Sequence, residues 1–228
     1  MRLPISMALV TVLGLTSLAA EPLPAPTPLP ESPTPPVFGP IRRSTVDETA
    51  ELPATRDADT YVYIVNGLDP FHWANLKRLA ERLRVSGFPN TKFGEYFDMP
   101  SFEAEIRKLR ARDPYARIAL IGYSAGCYPV IASAHRLLND GIPVALVGYI
   151  GGDFLTDTPY NRPPNVTRVV NITGNGFLLS GHNLIWNGTD LQNASNLRLN
   201  GVSHFNLPGR PETFRVLYDA LLSLSTVR

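Results

Sequence analysis

The sequence predicts an α/β fold: a doubly wound, mostly parallel sheet flanked by helices. Two observations carry this. From residue 61 onward, short apolar runs rich in Val, Ile and Tyr alternate with stretches of helical period. That alternation is the pattern of strand–helix–strand units built on a parallel sheet. The runs are also apolar at nearly every position, which suits strands covered on both faces. With 228 residues, 44% of them hydrophobic, the chain can bury one domain core and still carry a tail.

The elements follow in order. Residues 61–65 (YVYIV) make the first expected strand, ending in Asn66-Gly67. Trp73, Leu76, Leu79, Ala80 and Leu83 then recur at threes and fours, and Gly87 stops that helix. A weak strand is expected at residues 96–98. Pro100-Ser101 opens a second helix, with Phe102, Ile106 and Leu109 on one face and Asp113-Pro114 at its end. Residues 118–121 (IALI) make a buried strand. The helix after it is expected over about 125–138, closed by Asn139-Asp140-Gly141, with Pro129 near its start. Residues 144–150 and 166–172 make two further buried strands. Pro211 starts the last helix, which aligns Phe214, Leu217, Leu221 and Leu224.

The first 58 residues have another texture. Residues 1–20 read as a signal peptide: a positive Met1-Arg2 start, an apolar stretch over 3–18, and small residues at Ala19-Ala20 for cleavage. The apolar stretch falls short of the ~20 residues that span a bilayer, so no stable span is expected after cleavage. The expectation is export, to a periplasm, a cell envelope or the medium. Residues 21–58 read as a disordered linker. Its first half is nearly half proline and favours extended polyproline II over any hydrogen-bonded ladder. The folded domain is expected over residues 59–228.

Composition removes several classes of function. A net charge of +1 without a basic stripe gives no footprint for nucleic acid. A single Cys excludes an intramolecular disulfide framework and multi-Cys metal sites. No His/Cys/Asp/Glu cluster has metal-ligand spacing, and no cofactor is expected. Gly174-Asn175-Gly176 follows a strand, but the third glycine of a dinucleotide fingerprint is misplaced. Asn165, Asn171, Asn187 and Asn193 each begin an N-x-[ST] triplet; Asn171 falls in an expected strand, so glycosylation carries little weight.

In open parallel sheets, ligands bind at the carboxyl ends of the strands. After strand 118–121 stands Gly122-Tyr123-Ser124-Ala125-Gly126, a G-x-S-x-G between strand and helix. Such a turn is too sharp for side chains at the glycine positions, and it holds the serine exposed. Ser124 is the candidate nucleophile. A serine hydroxyl needs a base. Of four histidines, His135 lies within a helix, His72 follows the first strand and His182 lies in an irregular stretch. His204, in the loop before the last helix, fits the chain order serine–acid–histidine, with His182 as second choice. Asp153 in Gly151-Gly152-Asp153 is the first candidate for the acid that orients the imidazole. Asp190 and Asp157 remain alternatives, because the strand after Asp153 ends in Asn171-Ile172-Thr173-Gly174-Asn175 with no carboxylate. Ala125 N–H, at a helix N-terminus, is one expected oxyanion donor. Leu68 N–H is the other, unless Gly67-Leu68 is an ordinary turn. Asn66, Gly67, Phe71, Tyr123 and Phe205, with Trp73, stand where substrate would lie. Cys127 is expected to be buried and inert.

These residues carry a resemblance. With Asn66-Gly67, Gly122-Tyr123-Ser124-Ala125-Gly126, Gly152-Asp153 and Ser203-His204-Phe205, residues 61–224 resemble the α/β-hydrolase superfamily, specifically a small lidless bacterial esterase, lipase or thioesterase-like member. Residues 164–171 are also similar to members whose acid follows the preceding strand, which favours Asp153. The resemblance implies a Ser–His–Asp hydrolase working through an acyl-enzyme on a small-molecule or lipid acyl substrate. It implies no particular substrate. The alternative is a non-catalytic binding module of the same fold in the cell envelope.

Overall fold

The structure is a computed structural model that describes residues 57–69, 71–152, 161–176 and 194–225. These all lie in a compact unit, Thr49–Arg228. The expected signal peptide and nearly all of the expected linker lie outside the described residues, as do Asp153, Asp157, His182 and Asp190. No helix among the described residues is long and apolar enough to cross a membrane.

Among the described residues, six parallel strands form one sheet: β1 (Thr60–Val65), β2 (Thr91–Gly94), β3 (Arg117–Tyr123), β4 (Val144–Ile150), β5 (Val166–Gly174) and β6 (Ala194–Leu199). Their order is β2-β1-β3-β4-β5-β6. Four α-helices among the described residues cover it: α1 (Leu76–Val85), α2 (Met99–Arg112), α3 (Cys127–Asn139) and α4 (Pro211–Ser225). Alternate residues of each strand feed opposite cores. Val62, Ile64, Ala119, Ile121 and Leu146 pack with α1 and α4. Tyr63, Val65, Ile118, Leu120 and Val147 pack with α2 and α3. Both faces are dry, which is why the strands read as unbroken apolar runs rather than alternating ones.

Two expectations needed correction. Residues 96–98 are a 3-10 turn, and the strand of that region is Thr91–Gly94. The weak apolar signal of Tyr96-Phe97 misled: Phe97 is 81% exposed. The second concerns α1, which starts at Leu76, so Trp73 stands outside it, 65% exposed. Strand β6 escaped the sequence because ASNLRL shows little apolar character, as an edge strand allows.

The strand order reverses between β1 and β3. The chain steps from β1 outward to β2 and then returns past β1 to β3. Such a switch point opens a crevice at the carboxyl ends of the two strands. The loops after β1 and β3 meet there. The residues just before β1 are tied to the sheet. Asp57 is buried and accepts bonds from Thr60 Oγ1 (2.8 Å), Arg117 Nη2 (2.8 Å) and Ser225 Oγ (2.5 Å). It ties the start of β1 to β3 and to the end of α4.

Candidate active site

Ser124 follows β3 directly and opens a 3-10 turn, Ser124–Gly126, that leads into α3. Its φ is +53°, a left-handed conformation that costs a non-glycine residue about 1–3 kcal/mol. The glycines around it are there for contact. A Cβ on Gly126 would stand 2.5 Å from Val65 O, and one on Gly122 would stand 2.6 Å from Cys127 Cα. A Cβ on Gly67 would stand 2.7 Å from Tyr123 O and 2.8 Å from Ala125 N. The β1 loop and the serine turn are therefore in backbone contact. This places Gly67-Leu68 beside the Ala125 N–H, at the N-terminal end of a helical run where amide donors lack intrahelical partners. Cys127 is 1% exposed and its thiol donates to Gly122 O at 3.3 Å, an inward-facing group as expected.

His204 comes from the far end of the chain, in a short 3-10 turn (His204–Asn206) before α4. It is 4% exposed. Its ring lies 5.0 Å from the Tyr123 ring, and Tyr123 Oη donates to His204 O at 3.3 Å. Its other side presses on the end of β4, where a Cβ on Gly151 would meet Cε1 at 2.8 Å and Nδ1 at 2.9 Å. Gly151 also has φ +59°, so only glycine suits this position. The loop leading to His204 lies on the end of β5. Gly176 N–H donates to Val202 O at 3.0 Å, and a Cβ on Gly176 would stand 2.7 Å from Ser203 N. The pair Gly174 and Gly176 thus makes room for the histidine loop.

The structure therefore brings Ser124, Ala125, Gly67, Leu68 and His204 to one edge of the sheet. Tyr123 and Asn66, expected against substrate, are each 1% exposed. Tyr123 supports the His204 ring, and Asn66 Nδ2 donates to Glu95 Oε2 at 2.9 Å. Glu95 was not singled out in the sequence; nothing marks a lone Glu after a short polar strand. His72 has φ +53°, and its Nδ1 lies 3.7 Å from Glu95 Oε1. Asp69 fixes the loop further on by accepting from Trp73 N (3.1 Å) and Ala74 N (2.9 Å). The mouth is apolar. Leu68 and Phe71 are 75% and 70% exposed. Phe71 stacks on Trp73 at 5.2 Å, Trp73 meets Phe205 edge-on at 5.5 Å, and Phe205 lies 5.8 Å from His204. A cleft of about 520 Å³ lined by Pro143, Arg162 and residues 163–167 opens at the opposite edge of the sheet, near the starts of β4 and β5; among the described residues no His, Cys, Asp or Glu lines it.

The fold is repeated in solved structures. An α/β serine hydrolase without a lid, from Xanthomonas campestris, aligns at TM-score 0.50 with 17% identity, over 75% of this chain and 83% of its own. The fold is that of the α/β hydrolases. A candidate α/β hydrolase of unknown function from Agrobacterium tumefaciens aligns at TM-score 0.51 with 14% identity, over 75% and 88% of the two chains. No protein-family model matches the chain, and no curated protein matches it.

Proposed function

We propose that this chain is an exported serine hydrolase that cleaves a carboxylic ester or thioester through an acyl-enzyme. The observation that carries the reading is a strained Ser124 that directly follows Tyr123, against whose ring the His204 imidazole lies tilted at 5.0 Å. Ser124 Oγ attacks the carbonyl carbon while His204 takes its proton. The Leu68 and Ala125 N–H groups receive the negative charge that develops on the carbonyl oxygen. As the tetrahedral adduct collapses, the bond to the leaving alkoxide or thiolate breaks, and His204 returns the proton to it. Water, deprotonated by the same His204, then releases the acid from the serine. Asp153 is the proposed orienting acid. Its support is position: it stands two residues after Gly151, against which the Nδ1 edge of His204 is pressed. The exposed ring cluster of Phe71, Trp73 and Phe205 suits an apolar acyl chain. Export rests on residues 1–20 alone.

A fluorophosphonate probe tests the reading. It is expected to label the full-length protein and to leave Ser124→Ala unlabelled. His204→Gln and Asp153→Asn should each lower turnover of p-nitrophenyl esters by at least about 10³-fold, with Asp190→Asn near wild type. Absence of labelling would favour the non-catalytic binding module. A loss in Asp190→Asn matching that expected of Asp153→Asn would move the acid.

A further inference from the structure

We propose that Glu95 is a positioning residue: its carboxylate holds Asn66, and through it the Gly67-Leu68 backbone, against the nucleophile turn. The catalytic consequence rests on the hydrolase reading; the brace itself does not.

One carboxylate reaches two points of the loop between β1 and α1. Glu95 Oε2 accepts from Asn66 Nδ2 at 2.9 Å, and Oε1 lies 3.7 Å from His72 Nδ1. Asn66 begins the loop and His72 sits in its middle. Glu95 is itself anchored. Its backbone N–H donates to Asp98 Oδ2 at 2.8 Å, and its side chain caps the 3-10 turn in return. The preceding Gly94 O accepts from Asn66 N–H at 2.9 Å. Asn66 is thus gripped at backbone and side chain by the end of β2.

The Asn66 amide is an expensive choice for this place. It is 1% exposed, and Oδ1 takes no hydrogen bond among the described residues. A buried polar group costs free energy unless it is bonded. Its offset is the Nδ2 bond to an ionised carboxylate, a class about twice as strong as neutral pairs. The opposite face of the same backbone explains the purpose. Val65 O, Asn66 O and Gly67 are all packed against Ser124–Gly126 with no room for a Cβ. The spacing between the two proposed oxyanion donors is therefore set by a loop held from one side by Glu95 and from the other by the serine turn. Donors of this kind act through geometry, so a displacement of a few tenths of an ångström lowers turnover more than binding.

Two readouts test the proposal. In Glu95→Ala, hydrogen–deuterium exchange at residues 66–69 should rise at least about fivefold, while exchange in β4 stays unchanged. In the same variant kcat should fall roughly 10- to 100-fold with KM changed less than about threefold. Glu95→Gln keeps an acceptor for Asn66 and should regain most of that loss. Asn66→Asp should lose turnover, since it cannot donate and repels Glu95; adding Glu95→Gln should restore it, with donor and acceptor exchanged. Wild-type exchange in Glu95→Ala overturns the brace, whatever the activity. Faster exchange with unchanged kcat overturns the positioning role. A wild-type protein that never takes the fluorophosphonate sinks the hydrolase reading instead, and the exchange arm still decides the brace.

Discussion

Ser124 shows how one residue stores strain that its neighbours maintain. A φ of +53° is kept because β3 ends immediately before it and α3 follows the turn. The glycines on either side then let two backbones touch. Gly126→Ala tests this. Its new Cβ would stand 2.5 Å from Val65 O and 2.8 Å from Asn66 O, both backbone atoms that cannot swing away. The expected result is a loss of about 1–3 kcal/mol by chemical denaturation and at least a hundredfold fall in kcat/KM. Gly209→Ala is the control. Its nearest neighbour would be Asn206 O at 3.8 Å, ordinary contact, so stability should stay within about 0.5 kcal/mol of wild type.

At the scale of elements, the loop between β1 and α1 does most to shape the candidate site. It carries the proposed Leu68 donor, the Asp69 carboxylate that starts its turn, and the exposed rings of Phe71 and Trp73. Two of its residues, His72 and Asn75, take left-handed backbone. A Trp that is 65% exposed adds little to stability, and the proposed role of its ring is to contact the acyl chain. Trp73→Ala should leave the melting temperature within about 2 °C. It should cut kcat/KM on octanoyl esters roughly tenfold relative to acetyl esters, the worth of one good aromatic contact. Equal losses on both chain lengths would remove Trp73 from acyl recognition. The helices on the other face are joined more firmly. Glu103 of α2 is 4% exposed and pairs with Arg136 of α3 and, at 3.4 Å, with Arg107.

Across the whole molecule, Asp57 closes the sheet at the edge opposite the site. Burial alone would raise its carboxyl pKa, but bonds from Ser225, Thr60 and Arg117, with the Arg117 charge, outweigh burial and hold it below the usual carboxylate range. A folded-state pKa below the unfolded value contributes stability that is complete above about pH 4 and is lost as pH falls through the folded value. Denaturation midpoints should therefore drop below about pH 4 in wild type. Asp57→Asn should be less stable near neutral pH and show a shallower acid loss. An identical acid slope in the two proteins would show that other carboxylates control it.

Much of this was legible in the sequence because it is local. Strands 144–150 and 166–172, the helix opened by Pro100 and the helix opened by Pro211 announce themselves through apolar period and punctuation. So does the G-x-S-x-G turn, since a sharp strand-to-helix turn demands those residue types whatever surrounds it. Edge strand β6 and short β2 gave no such signal, because half-exposed strands need no apolar run. The tertiary structure alone decided what depends on chain crossing. It set the strand order that reverses between β1 and β3, the packing of His204 against Tyr123 and Gly151, and the reach of Glu95 to Asn66 across 29 positions. Such contacts are chosen by how packed layers meet, and no local residue pattern encodes that meeting.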